Sequence, residues 1–253
     1  MTDEAAWGGY VARFHDEEPG ITEDLLGRTD DDGTDPYAWC VAPLLGRHGT
    51  VLDLASGSGP VAAALPAAQP WVGLDTSWGE LARARAAGRR ALVRGSATAL
   101  PVADGALRAL ACAMGLQVVA PLDPALAELA RVLAPGGRAT LLLPTAWPLG
   151  PRDLWTYVRL QVVLGQAIRY PNGPALAPRR LARRAERHGL VVSADERRAF
   201  ALTVDDDAAA LLVRSLYLPE TDPARRARGV PVVAARAGDR LAIPLRRVVL
   251  DRL

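Results

Sequence analysis

The sequence predicts an α/β fold organised on a doubly wound, mostly parallel sheet, and three observations carry that prediction. Short apolar runs alternate with helical patterns from Val51 to Pro144, as in consecutive right-handed βαβ units. The run RATLLLP (138–144) is almost continuously apolar, as parallel strands buried on both faces are. The stretch VLDLASGSGP (51–60) passes from an apolar run through an acid into a turn of small residues and a proline. Gly57 and Gly59 permit backbone conformations closed to other residues, and Pro60 suits the first turn of a helix. A strand, a tight loop and a helix N-terminus in that order mark a ligand crevice at the carboxyl end of a first strand.

The totals narrow the class. At 253 residues, half of them apolar, the chain is long enough for one large domain with a substantial core and is not a disordered polymer. Every basic residue is an arginine, and the formal charge of +2 gives no reason to expect nucleic acid or a membrane surface as partner. No apolar run reaches the ~18–20 residues of a membrane helix. The acidic, polar opening MTDEAAWGGY is not a secretory signal, so a soluble, cytoplasmic monomer or homodimer is expected. Cys40 and Cys112 stand alone, outside any metal or redox spacing, and read as buried free thiols; no metal is expected.

Residues 1–40 form a cap or lid segment in this reading, with one or two short helices and an acidic turn at TDDDGTDP. The main domain occupies 41–253. After the first strand come WVGLD (71–75) and a helix from SWGELARARAAGR, in which Ser77 and Glu80 have capping-box spacing. ALVRG (91–95) and ALACAMG (109–115) are the third and fourth strands. DPALAELARVLAPGG is a helix with an Asp cap and a glycine stop, and 138–144 is the fifth strand. The aromatic stretch about 145–178 is too long for an ordinary connection and reads as an inserted lid with a helix near 153–168. Beyond it lie a basic helix around 178–188, a sixth strand (VVSADERRAFAL), helices at 205–217 and 222–228, and a closing seventh strand (LAIPLRRVVLDRL).

The glycine turn admits two ligands. GSGPVA (57–62) also satisfies the dinucleotide pattern, with Asp75 near the distance of a ribose-binding acid, so a nicotinamide oxidoreductase competes. Asp53 argues against it, because a carboxylate at the strand tip repels a pyrophosphate. Pro60 removes one of the helix N-terminal donors a phosphate would use. A ligand with an ammonium group would instead be attracted to Asp53.

DLASGSG, WVGLD, GSATALPVADGAL and ARVLAPGGRATLLLP stand in the order and spacing of class I S-adenosylmethionine-dependent methyltransferases. The chain resembles most the group related to ubiquinone and menaquinone methyltransferases, the type 11 group, firmly over about 50–145 and loosely over 176–253. The resemblance implies a Rossmann-like seven-stranded, mostly parallel sheet with helices on both faces, an N-terminal helical cap and an inserted helix after the fifth strand. It implies S-adenosylmethionine as cofactor and S-adenosylhomocysteine as product. Asp53, Ala55, Gly57, Ser58 and Gly59 would surround the methionine part, and Asp75, with Thr76 beside it, would bind the ribose hydroxyls. Ser96 and Ala97 would read the adenine edge, and Met114 to Gln117 would pass beneath the sulfonium. Three positions depart from the family pattern: Ala55 for a glycine, Ser96 for an acid and Arg108 for an acid.

The acceptor side is less determined. Candidates for the substrate wall are Tyr10 and Phe14 on an N-terminal aromatic flap, which reads otherwise as cover for apolar surface, and Trp147, Trp155 and Tyr157, each of which reads at least as well as ordinary helix core. A small, largely apolar or aromatic acceptor is expected, methylated at O, N or C. His15 reads either as a surface histidine or as a general base on a closing flap, with Gln117 orienting the acceptor. Two other readings keep the fold: cyclisation or decarboxylation chemistry with the same cofactor, and a non-catalytic binding protein.

Overall fold

The computed structural model describes residues 4–253. The chain opens with α1 (Glu4–Glu17), α2 (Ile21–Leu26), the two-residue strand β1 (Thr29–Asp30), α3 (Pro36–Val41) and a single 3-10 turn (Ala42–Leu44). The alternating part follows: β2 (Val51–Leu54), α4 (Pro60–Ala64), β3 (Trp71–Asp75), α5 (Trp78–Ala86), β4 (Leu92–Arg94), β5 (Leu107–Ala113), α6 (Leu122–Val132) and β6 (Leu133–Pro144). The remainder is α7 (Pro151–Leu164), α8 (Pro178–Glu186), β7 (Leu190–Thr203), α9 (Asp206–Arg214), α10 (Pro223–Ala234) and β8 (Arg240–Arg252).

One sheet runs in the order β1-β7-β8-β6-β5-β2-β3-β4. The block β6-β5-β2-β3-β4 is parallel throughout, and β8 is antiparallel to both β6 and β7. The sheet has eight strands, one more than the seven predicted. The addition is β1, which pairs Thr29 with Leu202 and Asp30 with Ala201. Two residues between an acidic turn and a helix give no alternation to read, so the sequence hides such an edge strand.

The near-continuous apolar strands are explained by cover on both faces. In β5, Ala109 and Ala111 join the core beneath α1–α4, α7, α9 and α10, whereas Leu110 and Cys112 join the core beneath α6 and α8. Leu241 and Ile243 of β8 serve the first core, and Val248 and Leu250 the second. Cys40 and Cys112 are free and buried, and burial pushes the Cys40 thiol up to about 12.

Packing moves several boundaries. The helix read from Asp123 to Gly137 stops at Val132, because Leu133 pairs with Leu107 and takes the chain into β6. α10 runs past Gly229 and through Pro231 instead of ending at 228. Gly229 is fitted to its neighbours there: a Cβ would lie 3.0 Å from Leu160 Cδ1 and 3.1 Å from Leu164 Cδ2. The topology also fixes where a ligand can sit. From β2 the chain winds outward to β3 and β4, then returns to place β5 on the other side of β2. The carboxyl ends of β2 and β5 therefore diverge into a crevice at a topological switch point.

Candidate active site

A cavity of about 460 Å³ occupies that crevice, within the usual size range of small-molecule sites. Its floor is the loop after β2, where Ala55 (φ 53°), Gly57 (53°) and Gly59 (81°) all adopt left-handed backbone. A left-handed alanine is strained, and so is Met114 (φ 57°) at the end of β5. Both line the cavity. Gly115 makes room for Ala55: a Cβ at 115 would lie 2.5 Å from that of Ala55. The alanine that departs from the family glycine is thus accommodated by a glycine across the crevice.

Asp75 ends β3 and faces the cavity. Its Oδ2 accepts from Gly57 N–H at 2.8 Å and its Oδ1 from Ser77 N–H at 2.9 Å. Burial raises its pKa, and the two backbone donors oppose that rise. Each oxygen keeps a lone pair for another donor. Thr76, Ser96 and Ala97 continue the wall, with the Ser96 hydroxyl 2.8 Å from that of Thr98. Ser58 also reaches the cavity, and its hydroxyl donates to Glu23 of α2.

Asp53 is placed differently from the expectation. It is 1% exposed, lies behind the loop, and is not part of the cavity wall. Trp71 Nε1 donates to its Oδ2 at 3.3 Å, while Oδ1 has no partner. Burial, with neighbouring Asp75 adding to it, drives its pKa well above the ordinary carboxylate value.

The N-terminal helices close the cavity from above. Val11, Ala12 and His15 of α1 line it, with Glu23 of α2 and Tyr37 of α3. His15 is held from both sides. In the Nδ1–H tautomer it donates to Glu80 Oε1 at 2.7 Å and accepts from the Tyr217 hydroxyl at 2.7 Å. Glu80 is 2% exposed, and its other oxygen accepts from Gly20 N–H at 2.9 Å. The predicted capping box is therefore half made. Ser77 caps α5 by accepting from Glu80 N–H at 3.1 Å, but the Glu80 carboxylate turns away to hold the cap. Its spacing to Ser77 was visible in the sequence; its partners 65 and 60 residues away were not.

The aromatic candidates lie off the cavity wall. Phe14 packs into the core, and the Tyr10 hydroxyl accepts from Leu218 N–H at 2.8 Å. Tyr157 donates to the carbonyl of Ala242 at 2.8 Å. Trp147 and Trp155 stand 67% and 63% exposed. Gln117 is buried behind the Met114 turn, donating to the Met114 carbonyl at 2.5 Å, with its Oε1 unpartnered. Val118, Val119 and Ala120 supply the apolar wall instead.

Residues 52–141 match the family Methyltransf_11, described as a methyltransferase domain. A demethylmenaquinone methyltransferase of Thermus thermophilus is 41% identical over 125 residues, 45% of this chain and 56% of that protein. A ubiquinone/menaquinone biosynthesis C-methyltransferase of Syntrophotalea carbinolica is 37% identical over 140 residues, 51% of this chain and 58% of that protein. The resemblance to the quinone methyltransferase group is thereby borne out, although the alignments cover little more than half the length of these relatives. Among solved structures, the YcgJ protein of Bacillus subtilis aligns with a TM-score of 0.57 at 18% identity, covering 85% of this chain and 96% of that one. The (4+2)-cyclase SpnF aligns at 0.59 and 18%, covering 96% and 94%. These structures share this chain's Rossmann-like fold.

Proposed function

We propose that the protein transfers a methyl group from S-adenosylmethionine to a small, largely apolar acceptor. The observation that carries this reading is the charge of the cavity wall. Its titratable side chains are Glu23, Tyr37, Asp75, Glu80 and His15, and burial keeps the Tyr37 hydroxyl protonated. None of the chain's arginines is among the lining residues, although Arg89 stands behind Glu23 and pairs with it at 3.2 Å. With Glu23 held by Arg89 and Glu80 by His15, Asp75 is the wall carboxylate without an ion pair among the described residues, and it favours a cationic ligand over the pyrophosphate of a nicotinamide dinucleotide. The relatives named above, which act on quinone precursors by name, support the acceptor class.

The residues present fit the cofactor. The left-handed loop 55–59 brings backbone to the cavity surface, and Asp75 has free lone pairs on both oxygens for a pair of ribose hydroxyls. Ser96 and Ala97 lie beyond Asp75, where the base would rest. When bound, S-adenosylmethionine supplies a methyl group on a good leaving group, so the protein's task is mainly positioning. Asp53 would act at second hand, its carboxyl supporting the loop from behind through Trp71 Nε1. Val11, Ala12, Val118 and Val119 would enclose the acceptor and exclude water.

His15 is the group that could take a proton from an O–H or N–H acceptor. Glu80 fixes its tautomer and leaves Nε2 basic, and the acceptor hydroxyl would replace that of Tyr217 at Nε2. Gln117, buried behind the Met114 turn, would support that turn and not touch the acceptor.

Calorimetry with S-adenosylhomocysteine tests the reading. Asp75→Ala removes two hydrogen bonds to a charged acceptor, each worth ~1.5–3 kcal/mol, so affinity should fall at least tenfold. An unchanged dissociation constant in a folded variant would overturn the assignment, as would tight binding of a nicotinamide nucleotide by the native protein.

A further inference from the structure

α7 is apolar on its outward face as well as on its buried one. Thr156, Leu160 and Leu164 are its buried side chains. Its outward face carries Leu154, Trp155, Val158 and Val162, which are 52%, 63%, 40% and 75% exposed. At 100° per residue these four lie within one arc of about 100°. Trp147, in the loop that leads from β6 into the helix, adds a fifth exposed apolar side chain. Among the described residues, nine large apolar side chains are exposed, and these five are the majority. Singly exposed apolar residues need no explanation, but a cluster on one helix does.

The edge of this face is basic. Arg159 is exposed on α7, and Arg225 and Arg228 are exposed on α10, the helix packed beside it. The Arg225 guanidinium lies at the carboxyl end of α7, where a Cβ on Gly165 would come within 2.3 Å of it. The ion pairs at this end of the molecule are Arg152–Asp239, Arg214–Glu18, Arg236–Asp153 and Arg236–Asp239. Arg159, Arg225 and Arg228 belong to none of them. Tyr157 bonds to Ala242, in the part of β8 that extends past the last pairing of β6 at Pro144. α7 therefore stands beyond the same carboxyl edge of the sheet at which the cavity opens.

We infer that the outer face of α7 docks the protein on an anionic lipid surface. Tryptophan with branched aliphatics suits the boundary between headgroups and acyl chains, and unpaired arginines beside them meet the headgroup phosphates. The helix lies in the interface and does not cross it: among the described residues no helix is long and apolar enough to span a membrane. A second copy of the chain is the competing occupant, but two such faces would bring their arginine edges together, three cations on each side against the Asp222 carboxylate that Arg225 and Arg228 face.

The test is flotation of the purified protein with vesicles of phosphatidylcholine, with and without phosphatidylglycerol. The native protein should float with the mixed vesicles, less with phosphatidylcholine alone, and be released by salt. The double variant Trp155→Ser, Val162→Asp changes only exposed side chains, so it should keep its melting temperature and lose about tenfold or more of its vesicle affinity. Arg159→Gln with Arg225→Gln should abolish the preference for the anionic lipid. Failure of the native protein to float, equal flotation of the apolar variant, or a dimer that the variant dissociates without any vesicle binding would each overturn the inference.

Discussion

Asp53 occupies a medium that does not suit its charge. It is almost wholly buried, has one hydrogen bond from Trp71, and leaves Oδ1 unpartnered. A carboxyl whose folded pKa is raised keeps its proton in the folded state at pH values where the unfolded chain has lost it. Stability therefore falls as pH climbs from about 3.9, the unfolded value, toward the folded one. Asp53→Asn keeps the shape and removes the titration. Thermal melts without ligand should show the variant gaining on the native protein as pH rises from 4 to 8, and a constant difference across that range would refute the account. His15 raises a different question, since both ring nitrogens are already engaged. If it acts as base, His15→Ala should lower turnover about a hundredfold while leaving S-adenosylhomocysteine affinity intact. A loss below threefold for His15→Ala would leave His15 as a fastener of α1.

At the scale of elements, the cap is fastened to the sheet by the start of α5. Asp16 of α1 accepts from the Ser77 hydroxyl at 2.7 Å and from Gly79 N–H at 3.2 Å, and Arg83 donates to the carbonyl of Pro19 at 2.8 Å. Ser77 thus both caps α5 and holds α1. Ser77→Ala should cost about 1 kcal/mol through the lost cap alone, and amide exchange at Gly20 and Gly79 should accelerate more than global stability predicts. If those amides exchange no faster than the core, the cap is held elsewhere. The bonds from Ser77 and Gly79 lower the Asp16 pKa, so this grip is present above the unfolded carboxylate value and is lost as pH falls through the folded one. The sequence made the parallel strands legible because burial on both faces writes an apolar run, as in β5 and β6. Ser77 and Gly57 were legible because capping and tight turns are local. What was not legible depended on distant partners: the turn of Glu80 toward His15, the retreat of Asp53 and Gln117 behind the wall, and the continuation of α10 through Pro231. The aromatic stretch 145–170 misled for the same reason, since composition alone does not say which face of α7 meets the core.

The whole molecule places its charge unevenly, and the near-neutral total conceals this. Arg159, Arg225 and Arg228 are exposed on one face while carboxylates line the cavity, so the average that argued against a membrane surface is silent about any one face. The same partition governs how ligands should move global stability. The cavity is walled by the loop after β2, the ends of β3 and β5, and the cap. A ligand bound there contacts groups that unfolding would scatter, and it gains little from the unfolded chain. At a hundredfold excess over its dissociation constant, such a ligand adds about 2.7 kcal/mol to the folded state. For a chain of 253 residues each kcal/mol corresponds to roughly 2–4 °C, so S-adenosylhomocysteine should raise the melting temperature by about 5–10 °C. NAD and NADP at the same concentration should leave it unchanged, because their pyrophosphate would face Asp75 with no arginine among the lining residues to receive it. A scanning fluorimetry series with the three compounds reads this directly. A shift with either dinucleotide, or none with S-adenosylhomocysteine, would mean that the carboxylate-lined cavity selects its ligand on some other basis than charge.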